Sequence, residues 1–183
     1  NKLEKEGAII IGKTSQDEFG FGGFSVNTKK IPKNPYDLTR SCGGSSGGAA
    51  GFTAFTTQPH IALGESTGGS IANPASFCGV VGLTPTYGLV SRYGLIDYAN
   101  SLDKIGAIAK TVSDSFLGLY HISGYDEKDS TSLTQKMSKV KKVKKIAVIK
   151  ESLDVDKEIK DVVLSRLKNY DLISLPSIKR YSI

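Results

Sequence analysis

An α/β fold is the class this sequence predicts, on three observations. A short apolar run at residues 146–149, an amphipathic stretch at 156–167 and a second apolar run at 172–175 follow one another at strand–helix–strand spacing. The 183 residues are 39% hydrophobic and 23% charged, a balance that suits a globular chain with a core rather than a disordered one. Upstream, further short apolar runs are separated by glycine-rich segments, the punctuation of strands and turns.

Taken in order, residues 8–11 are an apolar run between glycines and predict a buried strand. Residues 19–37 are rich in Gly, Asn and Pro and predict an irregular loop, and residues 34–41 also read as turn-like. Residues 41–50 are all small, with a helix expected to begin near Gly47 and run to about Phe55. Residues 61–63 are a short strand candidate, 64–71 are again small, and 77–83 look β-like. Residues 113–124 place Phe116, Leu117, Leu119 and Tyr120 at helical spacing, with Ser113 as N-cap. The helix at 156–167 puts Ile159, Val162, Val163 and Leu167 on one face.

Charge and glycine divide the chain. Residues 1–135 carry 11 basic and 12 acidic side chains, whereas residues 136–183 carry 13 and 6, a local net of +7. All 20 glycines lie at or before Gly124. This predicts a glycine-rich core over 1–125, a polar and basic linker over 126–145, and a βαβ continuation of the same domain over 146–183, cut short.

The longest apolar runs are a handful of residues, too short to span a bilayer, and no charged-then-apolar leader opens the chain. Cys42 and Cys78, with only His60 and His121 beside them, argue against a disulfide framework or a conventional zinc site. The expectation is a reducing, cytoplasmic protein with two free thiols and no metal.

Two motif matches are set aside on mechanism. Residues 7–14 (GAIIIGKT) fit the Walker A pattern, but its middle residues favour extended strand over a phosphate-wrapping bend. Residues 43–48 (GGSSGG) fit G-x-S-x-G, yet a nucleophile elbow needs a preceding strand and a later histidine base, and the preceding residues read as a turn.

The informative constellation is a pair of serine-and-glycine loops, residues 43–48 and 64–70, together with Lys13. Each loop alone serves equally well as a tight turn, and Lys13 alone reads as a surface lysine. Together they admit a definite chemistry. A serine nucleophile needs a base, and a neutral lysine can serve where no histidine is suitable, directly or through a second hydroxyl. Glycines just before a serine leave backbone N–H groups free to converge on an oxyanion.

Residues 43–50 (GGSSGGAA), 67–71 (TGGSI), 74–83 (PASFCGVVGL) and 12–19 (GKTSQDEF) resemble the amidase signature family. Residues 85–95 (PTYGLVSRYGL), 101–106 (SLDKIG) and 129–132 (DSTS) resemble its A-subunit branch in the tRNA-dependent amidotransferases. The resemblance implies a mixed central sheet covered by helices on both faces. It implies a Ser–cis-Ser–Lys triad in which Ser70 is the nucleophile, Ser45 the bridging serine after a cis peptide, and Lys13 the base. Thr67, Gly68 and Gly69, with Ser70, would supply the oxyanion amides, and Ser46 a supporting hydroxyl. A lysine acting near neutrality needs its pKa well below the ordinary ~10.4, and burial at the end of the 8–11 strand is the expected cause.

The same resemblance implies glutamine as amide donor, no cofactor in this polypeptide, and ATP with Mg²⁺ on a partner B subunit. Aminoacyl-tRNA and a small C subunit would complete the assembly, with no membrane involved. Three positions depart from the family pattern: Ser66 stands where an Asp is usual, Ala72 where an Arg is usual, and Ala107 where a Pro is usual. Three functions therefore compete. They are the glutaminase component of an aminoacyl-tRNA amidotransferase, a free-standing amidase acting on another amide, and a non-catalytic basic RNA-binding module. Against the last, runs such as residues 141–145 (KKVKK) are ordinarily solvated faces, and the tail lacks interleaved aromatics.

Overall fold

The computed structural model describes residues 2–138 and 147–175. The chain forms two compact units, Asn1–Ser138 and Lys139–Ile183. The first runs through α1 (Lys2–Lys5), β1 (Lys33–Asn34), β2 (Asp37–Ser41), α2 (Gly47–Phe55), β3 (Ile61–Ser66), α3 (Ala72–Phe77), β4 (Val81–Leu83), β5 (Lys104–Ala109) and α4 (Val112–Ile122). The second holds β6 (Ala147–Ile149), α5 (Lys157–Arg166) and β7 (Asp171–Ile173).

The centre of the first unit is an antiparallel sheet in the order β3-β5-β4. β5 pairs with β3 over six positions, from Ile61↔Ala109 to Ser66↔Lys104, and with β4 from Val81↔Ala109 to Leu83↔Ala107. Strand side chains alternate between faces, and β5 fills both with small apolar groups. Ile108 and its partner Ala62 join Ala49 and Ala50 of α2, together with Cys42, Ile71 and Cys78, in one buried cluster. Ala107 joins Leu119 of α4 and Val90 in a second. Helices thus cover both faces, as the family resemblance implies.

α4 is capped by Thr111, not by Ser113: the Thr111 hydroxyl accepts the Asp114 N–H at 3.1 Å and donates to the Asp114 carboxylate at 2.7 Å. Its buried positions are Ser115, Gly118 and Leu119, whereas Leu117 and Tyr120 are exposed. The Ala- and Gly-rich sheet beneath lets the helix approach closely, so the small residues face inward.

Other expectations are corrected. Residues 8–11 form no strand, and Ile9, Ile10 and Ile11 are exposed, Ile9 at 85%. β-branched residues favour extended backbone, but a strand also needs a partner, and none of the described strands pairs with residues 8–11. Residues 34–41 are not simply a turn, since β1 and β2 make a short antiparallel hairpin. The 77–83 segment begins as the end of α3, and only Val81–Leu83 is strand. Proline is tolerated in the first helical turn, where Pro74 stands, because those N–H groups have no intrahelical partner.

The beginning of the expected linker is packed rather than extended. The Asp129 carboxylate accepts the backbone N–H of Arg92 at 2.8 Å, and Ser132 Oγ bonds the carbonyls of Asp126 and Asp129. The rest of that segment, residues 139–145, lies outside the described residues, as do Ile146 and residues 176–183.

In the second unit β6 and β7 are parallel, with α5 between them, which is the βαβ unit read from the sequence. Its helix face is shifted: Ile159 and Val162 are exposed, and Val163, Leu164 and Leu167 are half-buried. No helix among the described residues is long and apolar enough to cross a membrane.

Candidate active site

Three segments of the first unit meet at one place: the loop between β2 and α2, the loop between β3 and α3, and the extended residues 12–17. The first loop leaves the hairpin at the buried Cys42 and turns through Gly43, whose φ of 75° belongs to the left-handed region that glycine enters freely. The Gly44–Ser45 peptide bond is cis. Ser45 is buried, and its Oγ has no hydrogen-bond partner among the described residues.

The backbone around Ser45 is held from three directions. Ser25 Oγ donates to the carbonyl of Gly43 (2.9 Å), lies 3.2 Å from that of Ser45, and accepts the Gly47 N–H at 3.1 Å. Asn73 Oδ1 accepts the Gly44 N–H at 3.0 Å. The Asp17 N–H donates to the Ser45 carbonyl at 3.1 Å. Asp17 is itself buried, its two carboxylate oxygens taking the N–H groups of Ser25 and Asn27.

Ser46 connects the two loops. Its N–H donates to the Ser70 carbonyl at 3.2 Å. Its hydroxyl donates to the Glu65 carbonyl at 3.0 Å and accepts the Glu65 N–H at 3.2 Å. The Ser46 hydroxyl therefore fastens the end of β3 to the cis-serine loop.

β3 runs directly into the second loop, Thr67-Gly68-Gly69-Ser70, and α3 starts two residues after Ser70. Thr67 Oγ1 donates to Asp103 at 2.5 Å, and Lys104 Nζ donates to the Thr67 carbonyl at 3.1 Å. Asp103 is fully buried and also takes the N–H groups of Tyr98 and Ala99. Gly68 and Gly69 are exposed, and a Cβ at Gly68 would meet nothing within 4 Å. One side of this loop is thus anchored, and the other is exposed among the described residues.

The lysine segment lies against the first loop through main chain. The Gly48 N–H donates to the Ser15 carbonyl at 3.1 Å, and a Cβ at Gly48 would come within 2.3 Å of that oxygen. Gln16 Nε2 donates to Glu65 Oε2 at 2.7 Å. Lys13, two residues before Ser15, is exposed and carries none of the burial expected from a strand at 8–11.

A strand, β2, does precede the 43–48 loop, in place of the turn expected there. Neither histidine, however, is bonded to its serines. His60 packs edge-on against Phe52, its buried Nε2 has no partner among the described residues, and burial lowers its pKa. His121 Nδ1 lies 3.6 Å from Glu6. Ser66 and Ala107 are buried, and Ala72 is exposed at the start of α3. The acid missing at Ser66 has a neighbour in Glu65, 7% exposed, whose carboxyl burial and the nearby Asp103 push above its ordinary value.

Ser25 and Asn73 lie outside every motif segment marked in the sequence, and Asp17, Glu65 and Asp103 lie inside such segments (12–19, 64–70 and 101–106) with nothing to single them out. All are single polar residues without a repeat or spacing that marks them, and only the fold brings them to the loops.

Two linked serine loops thus sit on a helix-covered sheet. Residues 1–171 match the Amidase family, and the chain belongs to it. It is 58% identical over 133 residues, 72% of its length, to the A subunit of glutamyl-tRNA(Gln) amidotransferase from Trichodesmium erythraeum. It is 46% identical over 193 aligned positions, 97% of its length, to the protein of that name from Natranaerobius thermophilus. The crystal structure of the corresponding protein from Thermotoga maritima superposes with a TM-score of 0.88 at 38% identity, covering 97% of this chain. The chain spans 27% and 39% of the two relatives' lengths and 43% of the crystallised chain.

Proposed function

We propose that this chain is the glutaminase part of a tRNA-dependent amidotransferase, hydrolysing glutamine through Ser70, Ser45 and Lys13. The observation that carries the reading is the Ser46–Ser70 link. It holds the cis-serine loop, with its unpartnered Ser45 hydroxyl, against the loop bearing Ser70. The similarity to the A subunits of glutamyl-tRNA(Gln) amidotransferase supports glutamine as donor and tRNA-linked synthesis as destination.

In this mechanism neutral Lys13 takes the Ser45 proton while Ser45 takes that of Ser70. Ser70 Oγ attacks the side-chain amide carbon of glutamine. The oxyanion rests on the N–H groups of the open loop, from Thr67 through Gly68 and Gly69 to Ser70. A proton returns through Ser45 to the leaving nitrogen, the C–N bond breaks, and ammonia departs. Water then cleaves the glutamyl ester, giving glutamate and restoring Ser70.

Ammonia would pass to a partner B subunit that uses ATP and Mg²⁺ to activate the aminoacyl-tRNA, with a small C subunit in the assembly. Glu-tRNA(Gln) or Asp-tRNA(Asn) would be the acceptor, in the cytoplasm. The test is Ser70→Ala in the assembled enzyme. Glutamine-dependent amidation should fall to background while ammonia-dependent amidation persists. Equal loss of both would make Ser70 a structural residue.

A further inference from the structure

We infer that Glu65 is a positioning residue that clamps the lysine segment onto the two serine loops, an inference that rests on the amide-cleaving role proposed for Ser70, Ser45 and Lys13. Glu65 touches all three parts of the site. Its N–H and carbonyl are both bonded to the Ser46 hydroxyl, in the cis-serine loop. Its chain continues through Ser66 into the loop bearing Ser70. Its side chain reaches the lysine segment, accepting Gln16 Nε2 at 2.7 Å.

The enclosure is close. The backbone at Gly20 comes so near that a Cβ there would stand 3.1 Å from both Glu65 carboxylate oxygens. Residues 16 to 20 therefore wrap the carboxylate, and Lys13 lies three residues before the bonded Gln16.

The main chain of Glu65 is already fixed without its side chain. It pairs with Ile105 in the β3–β5 ladder and is bonded to Ser46. What the side chain adds is the link to Gln16, kept despite two unfavourable effects: burial of the carboxylate and the neighbouring Asp103 charge. Asp103 in turn holds Thr67, so the same acidic pair touches the lysine segment through one member and the oxyanion loop through the other. A neutral amide at position 65 could still present a carbonyl oxygen to Gln16, which makes the link separable from the charge.

The experiment uses the full-length protein in its complex and compares Glu65→Ala, Glu65→Gln, Gln16→Ala and the Glu65→Ala/Gln16→Ala double variant. Two readouts are taken: kcat and KM for glutamine hydrolysis, and the rate at which phenylmethylsulfonyl fluoride labels Ser70. The second depends on Ser70 activation but not on which amide is the substrate. A displaced base should lower kcat and labelling by roughly 10- to 100-fold with KM changed by less than about threefold. Glu65→Gln should keep at least about half the wild-type rate, and the double variant should be no slower than the worse single. The inference is overturned if Glu65→Ala labels as fast as wild type. It is equally overturned if Glu65→Gln is as slow as Glu65→Ala, or if the two single losses multiply. Labelling of a wild type that cleaves simple amides but not glutamine would remove the glutamine reading and leave the Glu65 comparison intact.

Discussion

Replacing Ser25 should loosen the cis-serine loop. Ser25 is fully buried and has a φ of 56°, in the left-handed region that disfavours residues with a Cβ. Its hydroxyl serves the Gly43 carbonyl, the Ser45 carbonyl and the Gly47 N–H. Ser45 O keeps its bond from Asp17 N–H, so Ser25→Ala strands chiefly the Gly43 carbonyl and the Gly47 N–H. At ~1–3 kcal/mol for each of these two stranded buried groups, the loss should be about 2–6 kcal/mol. Ser25→Gly loses the same bonds but relieves the backbone, recovering about 1 kcal/mol. Denaturant unfolding of the full-length protein measures both, and glutamine hydrolysis measures the effect on the site. The reasoning fails if both variants lie within about 1 kcal/mol of wild type, or if the glycine variant is no better than the alanine one.

Lys13→Arg should be nearly as inactive in glutamine hydrolysis as Lys13→Ala, because a guanidinium does not give up its proton near neutral pH; a substantially active arginine variant removes Lys13 from the base role. Glu65 gives a pH prediction of definite sign. Its folded-state pKa lies above the ordinary 4.5, so the folded protein binds the proton more tightly than the unfolded chain. Glu65 therefore lowers stability once pH has risen past its folded pKa, and the penalty fades as pH falls toward and below 4.5. Glu65→Gln should unfold at a higher temperature than wild type at neutral pH, with the gap closing in acid; a gap that is absent at neutral pH or widens in acid contradicts this.

How far the sequence foretells this arrangement depends on what each segment is made of. The βαβ pattern at 147–173 is legible because its apolar residues alternate or recur at regular spacing. The two serine loops are legible through their joint occurrence with Lys13 and their resemblance to a known family, since each alone reads equally well as a tight turn. β5 (KIGAIA) escapes notice because small residues give little hydrophobic contrast, although it is the central strand. α3 is hidden because six residues with Asn73 and Pro74 at the start carry almost no helical signal. The opposite error at residues 8–11 comes from composition: three isoleucines predict a strand, but pairing is decided by neighbours far away in sequence. Ser25 and Asn73 illustrate the same limit at the site. Each is one polar residue given meaning only by the peptide groups the fold brings to it.

The six-position pairing of β3 with β5 has a consequence for how this site can change over time. β3 ends at Ser66, and four residues later stands Ser70, so the strand meters the distance from the sheet to the serine proposed as nucleophile. A slip of one residue against β5 would carry Ser70 about 3.4 Å along the strand and turn Glu65 to the opposite face. The Ser46, Gln16 and Asp103 contacts would then all be addressed to the wrong side chains. Core residues such as Ala62 or Ile108 can be exchanged for others of similar volume without moving the chemistry. An insertion or deletion anywhere between Ile61 and Ser70 cannot, which makes length, rather than side-chain identity, the tightest inheritance this stretch of chain carries.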